Sequence, residues 1–205
     1  MKMHWSPRSP FVRKVMIAIH EIGLQDQVEC TRTWVAPTQV HEGLMEDNPL
    51  SKLPTLVLDD GTPVYDSHVI CEYLDAHHGR AHLFPAEWPE RLVALRHEAL
   101  GDGLMDLALL WLIERQRGEG MQSEALVAAC ARKVERVLER LDRDISALTD
   151  RSFDIGHLTI GTALGYLDFR FGFLNWREGH PALAAWHADF LKRPSVKANP
   201  VVDDS

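Results

Sequence analysis

The chain has 205 residues, 45% of them apolar and 25% charged, which is enough for one large core or two modest ones and too apolar for a disordered chain. Its formal charge of −8 argues against a nucleic-acid or anionic-membrane partner. No run approaches the roughly 18 apolar residues of a membrane span, and no signal-peptide core is present, so a soluble cytoplasmic protein is expected.

In chain order, "KMHW" reads as a strand and residues 10–22 as a helix, with Ser9 at the N-cap, Pro10 at the first helical position and Gly23 as the stop. "VECTRTWV" reads as a second strand. After an irregular stretch, "TLVL", the turn Asp59-Asp60-Gly61 and "PVY" make a hairpin signal, and a helix follows from Ser67. The order βαβ-ββα predicts one small α/β layer over residues 1–78, with a right-handed crossover. Residues 79–88 read as a linker, and residues 89–205 as an all-α domain. In that domain helix-spaced apolar residues run over 88–117, 123–148, 154–173 and 181–191. A cleft between two such domains is the favoured place for a ligand.

Several chemistries are argued against by spacing. Cys30, Cys71 and Cys130 fit neither a disulfide framework nor a zinc knuckle, so free thiols are expected. The residues four after His20, His41 and His97 are Leu24, Met45 and Gly101, so no metalloprotease pair forms. Gly101-Asp102-Gly103 lacks the third glycine of a dinucleotide loop. No metal site is expected.

Three local features coincide in the α/β half. Arg13 and Lys14 sit in the first turn of the first helix, where cations oppose the helix dipole by roughly 0.3–1 kcal/mol each unless an anion binds there. Pro54 directly precedes a strand. Asp66 and Ser67 precede a second helix whose N-terminus would also receive a carboxylate. Each also has a plain structural reading, as a cap or a strand-start proline.

"SPRSPFVRKV", "NPLSKLPTLVLDDGTPVYDSHVICEYLD" and "GHLTIGTALGYLDFR", in this order, resemble the cytosolic glutathione S-transferase superfamily, of a bacterial type with serine at the catalytic position. The resemblance implies a thioredoxin-like N-terminal domain that binds glutathione, an all-helical C-terminal domain, a homodimer and a cis bond before Pro54. It implies that Ser9 faces the glutathione sulfur, with Phe11 beside it in "SPF". Leu53 would offer its backbone to the cysteinyl part, held by Pro54, and Asp66 and Ser67 would grip the γ-glutamyl end. Lys52, with a polar group near Gln39 or His41, would meet the glycine carboxylate.

The energetics are compatible with that role for Ser9. Lowering a thiol pKa from ~8.5 by ~2 units needs about 2.7 kcal/mol. One charge-assisted hydrogen bond of roughly 1.5–3 kcal/mol plus a helix N-terminus is of that size. Dithiol exchange is argued against because the C-x-x-C frame here reads Ser6-Pro7-Arg8-Ser9. No histidine base is assignable to Ser9, which disfavours a serine hydrolase.

The expected activity is transfer of glutathione to a small hydrophobic electrophile as part of detoxification, with glutathione as co-substrate. A non-catalytic glutathione-binding or stress-regulatory member, and a glutathione-dependent peroxidase, dehalogenase or ether-cleaving enzyme, stay open. Asp102, Met105, Leu109 and Leu112 follow helix spacing and, with Phe11, Trp34 and Trp111, are candidates for the electrophile wall, the alternative being plain core. Gly101 and Gly103 suggest a close contact or bend, and Gly161 and Gly165 close helix packing. Asp154 is expected to cap its helix, with His157 a poor reciprocal partner.

Overall fold

A computed structural model of the protein describes residues 1–78 and 83–204. Two compact units emerge, one of Met1–Arg91 with Pro194–Ser205 and the other of Leu92–Arg193. The expected 89–205 domain therefore loses its last segment to the first unit. The first four positions of the expected linker, 79–82, lie outside the described residues.

In the first unit, β1 (Lys2–Trp5) lies at the centre of a mixed sheet ordered β2-β1-β3-β4. It pairs parallel with β2 (Glu29–Arg32) and antiparallel with β3 (Thr55–Val57), and β3 pairs antiparallel with β4 (Pro63–Val64). Met3 and Leu56 face each other across β1 and β3 and are fully buried, so one face of the sheet makes the core. Pro63 sits on an edge strand, where its missing N–H leaves no central ladder unpaired.

Helix α1 (Pro10–Ile22) obeys its sequence signals: Ser9 caps it, Pro10 is its first residue, and Gly23 closes it at φ 83°. Its apolar stripe, Val12, Val15, Ile19 and Ile22, is buried, and it packs on α3 (Ser67–His78). Between them the stretch read as irregular holds a single helical turn, α2 (Glu42–Met45). Asp75 on α3 takes the amides of Leu83 and Phe84 at 2.8 and 3.0 Å, which fixes the chain beyond the helix.

The second unit is helical. Its elements are α4 (Trp88–Arg115), which starts in the first unit, then α5 (Glu124–Arg143), α6 (Ser146–Thr149), α7 (Ile155–Arg170), α8 (Trp176–Gly179) and α9 (Pro181–Phe190); a short α10 (Pro194–Lys197) returns to the first unit. The region expected to be one helix over 123–148 breaks into α5 and α6, and the one expected to reach 173 stops at Arg170, giving way to a 3-10 turn. Every residue of α7 from Ile155 to Leu167 is buried. Thr159 and Thr162 return their hydroxyls to the carbonyls of Ile155 and Leu158 at 2.7 and 2.8 Å, so they stay satisfied without water.

Two glycines permit close helix approach. A Cβ at Gly101 would lie 2.8 Å from the Thr159 methyl, and one at Gly161 would lie 2.5 Å from the Phe190 ring. Gly103 has nothing within 4 Å of a built Cβ, so no close contact explains it. The Asp154 cap is stronger than the sequence suggests. Asp154 accepts from the His157 amide at 3.1 Å, and His157 Nδ1 reaches back to the Asp154 amide at 3.2 Å, a complete capping box. His157 Nε2 meets the Leu148 carbonyl at 2.8 Å, so histidine replaces the usual carboxylate by bridging to a neighbouring turn. Burial alone would raise the Asp154 carboxyl, but the hydrogen bonds and charge of His157, with Arg151, leave it below the ordinary range.

Candidate functional site

Ser9 sits in extended backbone at the start of α1, and its Oγ accepts the Val12 amide at 3.3 Å. The serine is thus a genuine N-cap. A hydroxyl carries one donor and two acceptor positions, and capping uses only an acceptor. Among the described residues this is the one hydrogen bond of the hydroxyl, which leaves its proton available to an anion.

The first-turn cations have a different explanation from the one the dipole suggested. Arg13 Nε donates to the carbonyl of Asn199 at 2.9 Å, so this guanidinium ties α1 to the returning C-terminal segment and does not wait for a ligand at the helix tip. Asn199 Nδ2 bonds the Ser195 carbonyl at 2.8 Å, and Ser195 Oγ bonds Glu21 near the end of α1. No local sequence pattern signals partners so distant in the chain. Lys14 is fully buried.

The turn before β3 carries the second part of the site. Leu53–Pro54 is a cis peptide, as the resemblance implied, and the Tyr65–Asp66 peptide is cis as well. The turn is held by Asn48, a buried residue that sequence reasoning missed. Its Nδ2 donates to the Lys52 carbonyl at 3.2 Å and to Thr55 Oγ1 at 2.9 Å, and its Oδ1 accepts the Leu50 amide at 3.0 Å. Thr55 Oγ1 in turn donates to the Lys52 carbonyl at 2.9 Å. "NPLSKLPT" therefore encodes a peg, with Asn48 and Thr55 gripping one carbonyl from two sides. His4 adds a second tie, its ring nitrogens 2.9 Å from Thr33 Oγ1 and from Asp47 Oδ2.

At the start of α3 the Asp66 carboxylate is exposed and accepts the His68 amide at 3.1 Å, while Ser67 is buried. The Asp66 carbonyl already accepts the Ile70 amide at 2.9 Å. One carboxylate oxygen and the first-turn amides thus stand at the same helix end. Phe11 is half-buried, Leu53 and Pro54 are buried, and the Lys52 side chain is exposed. Of the candidates for the glycine end, Gln39 is exposed. His41 caps α2, accepting the Leu44 amide on Nδ1 at 3.0 Å, so in its neutral form the ring proton is on Nε2.

The electrophile-wall candidates divide. Trp34 is 46% exposed and lies in the first unit. In the second unit Met105 and Trp111 are buried, the Trp111 ring lying tilted against Phe171 with centroids 4.8 Å apart; Leu109 is half-buried. Among the described residues no disulfide forms; Cys71 and Cys130 are buried and Cys30 is exposed. Among the described residues no group of three or more His, Cys, Asp or Glu side chains gathers to hold a metal ion, and no helix is long and apolar enough to cross a membrane.

A four-stranded mixed sheet with a capped serine at its first helix, a cis-proline turn and an Asp-Ser helix start defines a thioredoxin-like domain, followed by a helical domain. Family models agree: the glutathione S-transferase N-terminal domain matches residues 8–77 and the C-terminal domain residues 124–189. A curated relative, the uncharacterized GST-like protein YibF of Escherichia coli K12, is 30% identical over 95% of this chain and 96% of its own length. A solved glutathione transferase family member from Pseudomonas fluorescens Pf-5 with bound glutathione is 37% identical, with a TM-score of 0.95 over 98% of this chain and 99% of that one. A structure of a Pseudomonas fluorescens Pf-5 family member with bound S-(propanoic acid)-glutathione gives a TM-score of 0.90 at 37% identity, over 98% of this chain and 100% of that one. The chain belongs to the glutathione S-transferase superfamily.

Proposed function

We propose that this protein is a glutathione transferase in which the Ser9 hydroxyl donates a hydrogen bond to the glutathione sulfur, stabilises it as the thiolate once the thiol proton has left to water, and so promotes attack on a small electrophile. One observation carries this: the Ser9 hydroxyl spends only an acceptor position on the helix cap, so a donor stays available at the positive end of α1. Ser9 then acts as both cap and thiolate partner. The pegged turn at Leu53–Pro54 and the Asp66-Ser67 helix start supply peptide-binding and charge-binding groups for the rest of the tripeptide. Support for glutathione itself comes from the Pseudomonas fluorescens relative, described with glutathione and with S-(propanoic acid)-glutathione bound. We further infer a cytoplasmic homodimer with a role in detoxification.

The test is spectroscopic. On adding glutathione the wild-type protein should develop the thiolate absorption band near neutral pH. Ser9→Ala should keep glutathione binding within about threefold and raise the bound thiol pKa by about 1–2 units, the size of one charge-assisted hydrogen bond. Equal thiol pKa in the two proteins would reduce Ser9 to a cap and favour a glutathione-dependent activity with another activating group. Absence of glutathione binding in the wild type would remove the transferase proposal altogether.

A further inference from the structure

The stretch that opens α1 holds one more cation, Arg8, which neither the cap nor the peptide-binding turn employs. Arg8 immediately precedes Ser9. Its Nε lies 3.0 Å from Asp204 Oδ1, while Arg32 at the end of β2 brings Nε to 2.7 Å and Nη2 to 2.6 Å from Asp204 Oδ2. Both guanidinium groups stand over the exposed Trp34 ring, at 4.0 and 5.3 Å from its centroid. Two like charges gathered on one ring repel unless an anion lies with them, and here the anion is the chain's own carboxylate, each oxygen facing a different arginine.

The fit is incomplete on one side. Arg8 Nε is buried and has no aligned hydrogen-bond acceptor among the described residues, so Asp204 answers its charge without answering its N–H. The segment that delivers Asp204 is anchored earlier, at Asn199, and residues 200–204 form neither helix nor strand. Through Pro200 and Val202 the segment also walls a cavity of about 390 Å³ that Arg32 lines and that Arg8 and Asp204 do not.

We propose that Arg8 and Arg32 form a carboxylate-binding site one residue from Ser9, that Asp204 occupies it in the unliganded protein, and that its ligand is an acidic group carried on the sulfur substituent of the glutathione conjugate. This rests on the transferase reading and narrows the electrophile to small molecules bearing a carboxylate. Asp204 is an internal competitor present at high effective concentration, so the acidic ligand binds with an affinity reduced by the fraction of sites the chain itself fills.

Calorimetric titration of the full chain with three ligands decides it: glutathione, S-propylglutathione, and S-(2-carboxyethyl)glutathione, which differs from the second in replacing a methyl by a carboxylate. Wild type should bind the acid about tenfold more tightly than the propyl compound, a preference that shrinks with added salt. Asp204→Asn should tighten the acid by about fivefold and leave the propyl compound unmoved. Arg8→Gln and Arg32→Gln should each erase most of the preference. Equal affinity for acid and propyl compound in a wild type that binds glutathione overturns this proposal and leaves the transferase reading intact. Equal tightening of both by Asp204→Asn also overturns it, since the arginines would then read a carboxylate of glutathione itself. Failure of the wild type to bind glutathione removes both.

Discussion

Replacing Asn48 tests whether the cis-proline turn is held by the side-chain peg described above. Asn48 is buried and makes three hydrogen bonds, two from Nδ2 and one to Oδ1. At about 1 kcal/mol net for each, with the Leu50 amide regaining water, Asn48→Ala should cost about 2–3 kcal/mol. For a chain of this size that is a fall in Tm of roughly 5–10 °C. Asn48→Asp should be worse although nearly isosteric, because it sets an anionic oxygen against the Lys52 carbonyl in a buried place. Leu53 follows Lys52 directly, so a loosened turn should also weaken glutathione binding. Ser9 is untouched, so the pKa of whatever thiol binds should stay at the wild-type value. Urea and thermal unfolding read the first effect, and glutathione titration with the thiolate band reads the other two. If Asn48→Ala unfolds at the wild-type temperature and binds glutathione as tightly, the turn is held by something else.

Two further outcomes can be checked by unfolding measurements. Gly161→Ala forces a methyl to within 2.5 Å of the Phe190 ring and should destabilise by about 1–3 kcal/mol, whereas Gly103→Ala, with nothing within 4 Å, should stabilise α4 by up to about 1 kcal/mol. Half-buried His97 is held below the ordinary histidine range first by burial, then by the charges of His157, Arg151 and Arg96, with Asp154 opposing. Its folded pKa thus lies under the unfolded value of about 6.5, so its stabilising contribution is complete above that pH and is lost as pH falls below it. His97→Gln should flatten that leg of the stability curve, while the contribution of Asp154, lowered from an ordinary carboxylate, disappears only at more acid pH.

Much of the architecture is written in local chemistry. Ser9, Pro10 and Gly23 bound α1 to the residue because each satisfies a backbone need that depends on immediate neighbours alone. The Asp59-Asp60-Gly61 turn between β3 and β4 is legible for the same reason, Gly61 taking φ 88°. What escaped is set by distance in the chain. Arg13 reads as an anion-binding cation until Asn199 is brought beside it, and nothing near residue 194 says that the chain will rejoin the first unit. Asn48 passes for a turn former in sequence, and only the folded turn shows it gripping Lys52 and Thr55. Helix α2 is a single turn with a histidine cap, too short to have a period.

The buried helix α7 has a consequence for how the polypeptide is made. With no polar face, it leaves the ribosome as an apolar rod ahead of its cover: the Phe190 ring that seals Gly161 and the His187 ring that reaches the Gly161 carbonyl at 3.1 Å belong to α9, later in the chain. Chains cut short between Arg170 and Pro181 should therefore be the stickiest forms of this protein, and the ones a chaperone binds first.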